Sequence, residues 1–223
     1  DGLPAPNGST CVVQANANTL RSFLYNRQVE QFLSRAVEED LFEVYYQPVY
    51  SIRKKRFVTL EALSRLRHPE LGWISPDVFI RLAEKNRLID ALTDLQLRRV
   101  CRFLKSHEDV ARQIDSVKVN LSALNLMQEH CAERLIAILD EFALPHRLFQ
   151  FEITETVATE YSSRLSRAVD AFSQADIGLC LDDFGSGFAN LNTVTHLPFS
   201  AIKLDRSLLY HICADARAAL FYQ

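Results

Sequence analysis

The chain has 223 residues, enough for one large domain or two small ones, and is 48% apolar and 24% charged, which is ordinary for a soluble globular protein. Its formal net charge of -3 argues against a general binder of nucleic-acid polymers, which carries a basic excess, and leaves room for a small anionic ligand held by local cations. No apolar run reaches the roughly 20 residues that span a bilayer, no signal-peptide pattern opens the chain, and five cysteines without a Cys-x-x-Cys pair argue against a disulfide framework or thiolate zinc site.

Reduced thiols fit a cytoplasmic location, for a free protein or for the cytoplasmic part of a membrane-anchored one. Residues 1–10, rich in Gly, Pro, Asn and Ser, read as a loop. Residues 19–39 place Leu20, Phe23, Leu24, Phe32, Leu33, Ala36 and Val37 at near-helical spacing, which predicts a helix. Residues 1–27 are thus a lead-in and residues 28–223 the domain. Strands are predicted at 42–50 and 57–66, and the basic turn between them is short enough for an antiparallel pair. Ser75-Pro76-Asp77 opens a helix through residue 84, a cap followed by Pro in the first turn. Helices at 90–106, 129–142, 162–175 and 189–196 then alternate with strands at 116–121, 148–154, 177–182 and 201–205, and another helix starts at Arg206. Repeated βα units imply a mostly parallel sheet, closed into a barrel or doubly wound.

Successive strand residues point to opposite faces. In each strand from the second onward one parity is apolar, as in Val117, Val119 and Leu121 or Phe149, Phe151 and Ile153. The other parity carries a polar or ionisable group near the C-terminal end: Glu61, Asn120, Glu152, Asp182 and Lys203. In a barrel these would meet at the mouth where catalytic groups gather. Asp182 and Asp183 close one strand, and Gly185-Ser186-Gly187 follows. Adjacent carboxylates repel, and a hard divalent cation with oxygen ligands resolves the conflict. Two such ions form the usual arrangement for in-line attack on a phosphodiester, with Lys203 orienting water or offsetting phosphate charge. Structural alternatives exist for each group: Glu61 pairing with Arg65 or Arg67, Glu152 pairing with Lys118, Asn120 forming a turn, Lys203 standing in solvent, the two aspartates capping a helix.

The stretch Glu61-Ala62-Leu63-Ser64-Arg65, with Tyr46-Gln47-Pro48, Ser75-Pro76, Ala83-Glu84, Val119-Asn120-Leu121-Ser122, Phe151-Glu152-Ile153-Thr154-Glu155, Asp182-Asp183-Phe184-Gly185 and Ile202-Lys203-Leu204-Asp205, resembles the EAL domain, the bacterial cyclic di-GMP phosphodiesterase family. The likeness spans roughly residues 29–209. It implies an α/β fold, a modified TIM-like βα barrel with its first strand antiparallel, and hydrolysis of cyclic di-GMP to linear pGpG with two Mg²⁺ or Mn²⁺ ions. By position, Glu61, Asn120, Glu152 and Asp182 resemble the ligands of one ion, and Asp182 and Asp183 those of the other. Lys203 matches the catalytic lysine, with Glu61 and Asp183 at the same chemistry. Glu155 matches a glutamate that steadies the loop after Asp183. Arg65 matches an arginine on ligand phosphate, and Gln47, Leu63, Pro76, Glu84 and Asp205 fall in or beside the nucleotide pocket. A homodimer is implied, and a sensory or diguanylate cyclase-like domain before this chain is a further expectation.

Departures stand at Ser64 and Leu66, where an apolar residue and Trp are usual, and at Asn86, Ser186 and Phe188. The family's later strand with a second metal-binding glutamate, and a later glutamine, have no counterpart here. Six strands are therefore expected, in a barrel left incomplete or finished by another chain. The resemblance also allows a cyclic di-GMP-binding regulatory module without useful catalysis, and similar chemistry on another phosphodiester is a third reading.

Overall fold

The computed structural model describes residues 16–154, 163–185 and 197–207. Glu155, the predicted helix at 189–196, Ser186, Gly187, Phe188 and the end of the helix begun at Arg206 lie outside them.

The first helix, α1 (Ala17–Glu38), starts where the Asn16 side chain accepts from the Thr19 amide at 2.9 Å. This bond satisfies one of the donors that every helix start leaves orphaned. Its buried residues Val29, Leu33 and Ala36 recur at helical spacing. The hairpin of β1 (Phe42–Ser51) and β2 (Arg56–His68) is antiparallel. At its turn the Lys54 amide donates to Ser51 Oγ at 3.0 Å, and Lys55 takes φ +51°. A short strand, β3 (Gly72–Ile74), folds back on the end of β2. Sequence reading missed it because three residues carry too little alternation to count.

Helix α2 (Pro76–Lys85) begins with Pro in its first turn, as predicted. It is followed by α3 (Ile89–Ser106) and the short α4 (Glu108–Gln113). Then come β4 (Ser116–Asn120), α5 (Ala123–Met127), α6 (Cys131–Glu141), β5 (Phe149–Thr154), α7 (Ser163–Gln174), β6 (Gly178–Phe184) and β7 (Ala201–Leu204). Among the described residues the sheet has seven strands in the order β1-β2-β4-β5-β6-β7, with β3 beside β2. All pairs from β2–β4 onward are parallel. The expected six strands are thus present, and β3 is additional.

Among the described residues two hydrophobic clusters hold the fold. The larger fills the space between the apolar parity of the sheet (Ala62, Val117, Val119, Phe149, Phe151, Leu179, Leu181) and α3, α6 and α7 (Leu97, Leu104, Leu135, Leu139, Phe172). The smaller gathers Val29 and Leu33 of α1, Phe42, Leu66, and Phe79 and Leu82 of α2. Helices therefore cover one face of the sheet, and the opposite face carries the polar parity. Among the described residues β1 and β7 are the sheet edges, and Tyr45, Val49, Ile202 and Leu204 on them are exposed. The free thiols Cys101, Cys131 and Cys180 are buried. No described helix is long and apolar enough to cross a membrane.

Candidate active site

Strand register sets the site. Glu61 of β2 lies opposite Gln47 of β1 and Lys118 of β4. Asn120 lies opposite Glu152, and Thr154 opposite Asp182. With side chains alternating between faces, this register stacks the polar groups of adjacent strands on one side. They converge on Lys203. Its Nζ stands 3.2 Å from Glu61 Oε2, 3.1 Å from Glu152 Oε2 and 3.2 Å from Asp182 Oδ2. Carboxylates from three strands thus close around one ammonium, as the shared parity predicted. Glu152 also pairs with Lys118, whose Nζ is 3.0 Å from Oε1. The structural alternative for Glu152 and its place in the site are therefore both realised.

Burial and charge act against each other here. Burial alone pulls the Lys203 ammonium down, but Glu152, Glu61 and Asp182 outweigh it and hold the pKa above the usual lysine range. Lys118 behaves alike: burial lowers it, and Glu152 more than restores it. Both lysines are therefore ammoniums at neutral pH. Burial, with Asp182 and Asp205 nearby, pushes the Asp183 carboxyl up.

The Asp182-Asp183 step is an irregularity in the β6–β7 ladder, with a register shift between Leu181 and Phe184. Asp183 takes φ +54° and Gly185 φ +92°. Asp tolerates this left-handed region better than most residues. A bulge re-aims side chains at a strand end, so Asp183 leaves the strict alternation that carries Asp182. The Asp183 amide is capped by Asp182 Oδ1 at 3.0 Å.

A pocket of about 470 Å³ opens beside this cluster, lined among others by Leu63, Ser64, Arg65, Pro76, Glu84, Asn120, Asp182 and Asp183. Arg65 Nη1 donates to the Ser64 carbonyl at 2.9 Å, and its guanidinium lies 5.7 Å from the centre of the Tyr45 ring. Glu84 accepts from Ser122 Oγ. Of the predicted nucleotide contacts, Leu63, Arg65, Pro76 and Glu84 share this wall. Gln47 is exposed on β1 away from it. Asp205 turns instead to Ser207, accepting from its amide at 2.7 Å, which holds its carboxyl below the usual range. Sequence reading gave no role to Ser122 or Asn125. The visible signal was a cap residue three positions before an amide, two positions after Asn120.

Among the described residues no three His, Cys, Asp or Glu side chains are drawn together at metal-binding distances. The Lys203 ammonium stands where the carboxylates converge. The donor set of carboxylates plus the Asn120 amide is all hard oxygen, the chemistry that suits Mg²⁺ or Mn²⁺. The residues therefore fit a divalent cation once the ammonium cedes part of this position.

Comparisons with known proteins agree with the geometry. The family model described as EAL domain matches residues 30–223. The chain is 34% identical over 190 residues to the cyclic di-GMP phosphodiesterase NbdA of Pseudomonas aeruginosa, covering 85% of this chain and 24% of that protein. It is 31% identical over 188 residues to a second cyclic di-GMP phosphodiesterase of that species, covering 83% and 32%. Among solved structures, the PaMucR phosphodiesterase in complex with c-di-GMP matches with a TM-score of 0.78 and 28% identity, over 87% of this chain and 78% of that one. The FimX EAL domain of Pseudomonas aeruginosa bound to c-di-GMP matches in fold with a TM-score of 0.76 at 22% identity, over 87% and 77%. The chain thus spans between 24% and 32% of the length of these two curated relatives.

Proposed function

The chain belongs to the EAL domain family, and we propose that it hydrolyses cyclic di-GMP to linear pGpG with Mg²⁺ or Mn²⁺. The observation that carries this reading is the convergence of Glu61, Glu152 and Asp182 on Lys203 Nζ within 3.1–3.2 Å, beside a pocket large enough for a nucleotide. Two divalent ions, when bound, supply an activated water and neutralise the phosphate. Glu61, Asn120, Glu152 and Asp182 would hold one, and Asp182 and Asp183 the other.

The chain's own residues do the rest. Lys203 carries its charge at neutral pH and has three protons to share, so releasing one carboxylate frees a donor for the attacking water or a phosphate oxygen. Arg65 offers a planar fork that suits two phosphate oxygens. Leu63 and Pro76 supply apolar wall, and Glu84, held by Ser122, accepts donors from a guanine edge. Glu155 is assigned the loop after Asp183. The domain works as a homodimer within a longer signalling protein.

The test is direct. Cyclic di-GMP is incubated with the full-length protein and Mg²⁺ or Mn²⁺, and the products are separated. Linear pGpG is expected, and Glu61→Ala is expected to lose metal binding and turnover together. A folded full-length protein without turnover in either metal would sink the enzymatic reading. A second reading is a cyclic di-GMP-binding module without turnover. It is favoured by the way Lys203 and Lys118 pair with the carboxylates of the site. Calorimetric binding of the nucleotide without hydrolysis selects it.

A further inference from the structure

Lys118 faces the same polar interior and has no task in the enzymatic reading above. It sits on β4 one layer below Asn120, at a level that barrels fill with branched apolar side chains. Only 10% of its side chain is exposed. A lysine costs desolvation at such a depth unless it is closely paired. Its Nζ contacts Glu152 Oε1 at 3.0 Å and Cys180 Sγ at 3.2 Å. Glu152 is itself wholly buried, and its other oxygen, Oε2, takes Lys203 at 3.1 Å. The carboxylate is therefore clamped between two ammoniums. The two differ in kind. Lys203 divides itself among three carboxylates and is 30% exposed, so it can shift. Lys118 has Glu152 as its one carboxylate partner among the described residues.

We propose that Lys118 is a positioning residue for the divalent-cation site. It pins Glu152 through Oε1, so that Glu152 presents the single oxygen Oε2 to a metal. Its fixed charge, one carboxylate away, also weakens the hold on any divalent cation. One-oxygen presentation suits Mg²⁺ and Mn²⁺, which take short octahedral bonds. It penalises Ca²⁺, which takes more oxygens and often both of a carboxylate. The inference rests on the metal-dependent reading above.

The experiment is titration of Mn²⁺ and Ca²⁺ into the nucleotide-free protein by calorimetry, with Mn²⁺ paramagnetic resonance as the spectroscopic check. Lys118→Met is expected to bind Mn²⁺ more tightly by at least on the order of tenfold, because it removes one positive charge held a single carboxylate away from the cation. Ca²⁺ affinity should rise further, so the preference for Mn²⁺ shrinks. Lys118→Arg should keep the wild-type preference. Unchanged affinities in Lys118→Met, or a loss of Mn²⁺ binding by a folded variant, overturn the proposal. Should Lys118→Met fail to fold, Lys118→Met/Glu152→Gln is compared with Glu152→Gln, since the neutral pair removes the buried charge. The two should share one Mn²⁺/Ca²⁺ ratio, and different ratios overturn the proposal. If the wild-type protein takes up no divalent cation, the metal reading falls and this inference with it. If it binds metal and the Lys118 variants match it, this inference alone falls.

Discussion

At the residue scale, two side chains make opposite demands on the interior. Ser64 is buried, and its Oγ has no hydrogen-bond partner among the described residues. An unsatisfied hydroxyl keeps its desolvation cost with nothing to offset it. Ser64→Ala is therefore expected to stabilise the protein by about 1 kcal/mol. Urea unfolding should show a higher midpoint at constant slope; an equal or lower midpoint would reveal an ordered partner for the hydroxyl. Lys203 is the reverse case. Lys203→Met leaves Glu61, Glu152 and Asp182 facing one another with Lys118 as the remaining cation. Breaking a buried ion cluster by removing one partner costs about 3 kcal/mol. The metal-free variant should melt lower than wild type and regain stability in Mn²⁺. A variant with wild-type stability would show that the three carboxylates do not repel.

At the element scale, α5 and the loop before it decide where Asn120 and Glu84 stand. Asn125 is fully buried. Its Oδ1 accepts from the Ser122 amide at 3.0 Å and from Thr93 Oγ1 at 3.2 Å, and its Nδ2 donates to Asp90 at 2.7 Å. Asp90 in turn holds Arg134 at 2.7 Å. One amide thus ties α3, α5 and α6 to the end of β4. Asn125→Ala orphans the Ser122 amide and part of the Asp90 carboxylate, while the Thr93 hydroxyl keeps its bond to the Ile89 carbonyl, for a loss of about 2–3 kcal/mol. Cyclic di-GMP affinity should fall with it, because Ser122 no longer fixes Glu84. Unaltered affinity in a folded Asn125→Ala would refute the link. This loop also marks the limit of sequence reading. The polar parity of β2, β4, β5, β6 and β7 was legible because period-two alternation names a face, and Lys203 did find Glu61, Glu152 and Asp182. The departure of Asp183 from that alternation was not, since a bulge is a property of pairing between strands. Lys118 was visible on the right face, yet its partner could be read only as one alternative. β3, α4 and α5 were missed because short elements are fixed by tertiary contacts and caps, not by periodicity.

At the scale of the whole molecule, the two hydrophobic clusters separate the two jobs of the site. The larger lies under β4, β5 and β6, the strands that carry Asn120, Glu152 and Asp182. The smaller joins α1 to α2 and to the outer end of β2, and α2 carries Pro76 and Glu84 on the pocket wall. Leu33 of α1 is fully buried in the smaller cluster. Truncating such a leucine removes its transfer free energy and leaves a cavity, a loss of about 3 kcal/mol. The damage should stay local, because the larger cluster has its own helices and keeps its packing. Leu33→Ala is therefore expected to lower stability and weaken cyclic di-GMP binding while leaving Mn²⁺ affinity at its wild-type value. Calorimetry on the same preparation reads both ligands. A parallel fall in nucleotide and metal affinity would mean that the clusters act as one body, and an unaltered melting temperature would mean that α1 contributes nothing to the fold. The expected split would place nucleotide recognition on the α1–α2 side and cation holding on the sheet, coupled through β2, which carries Leu66 in one cluster and Ala62 in the other.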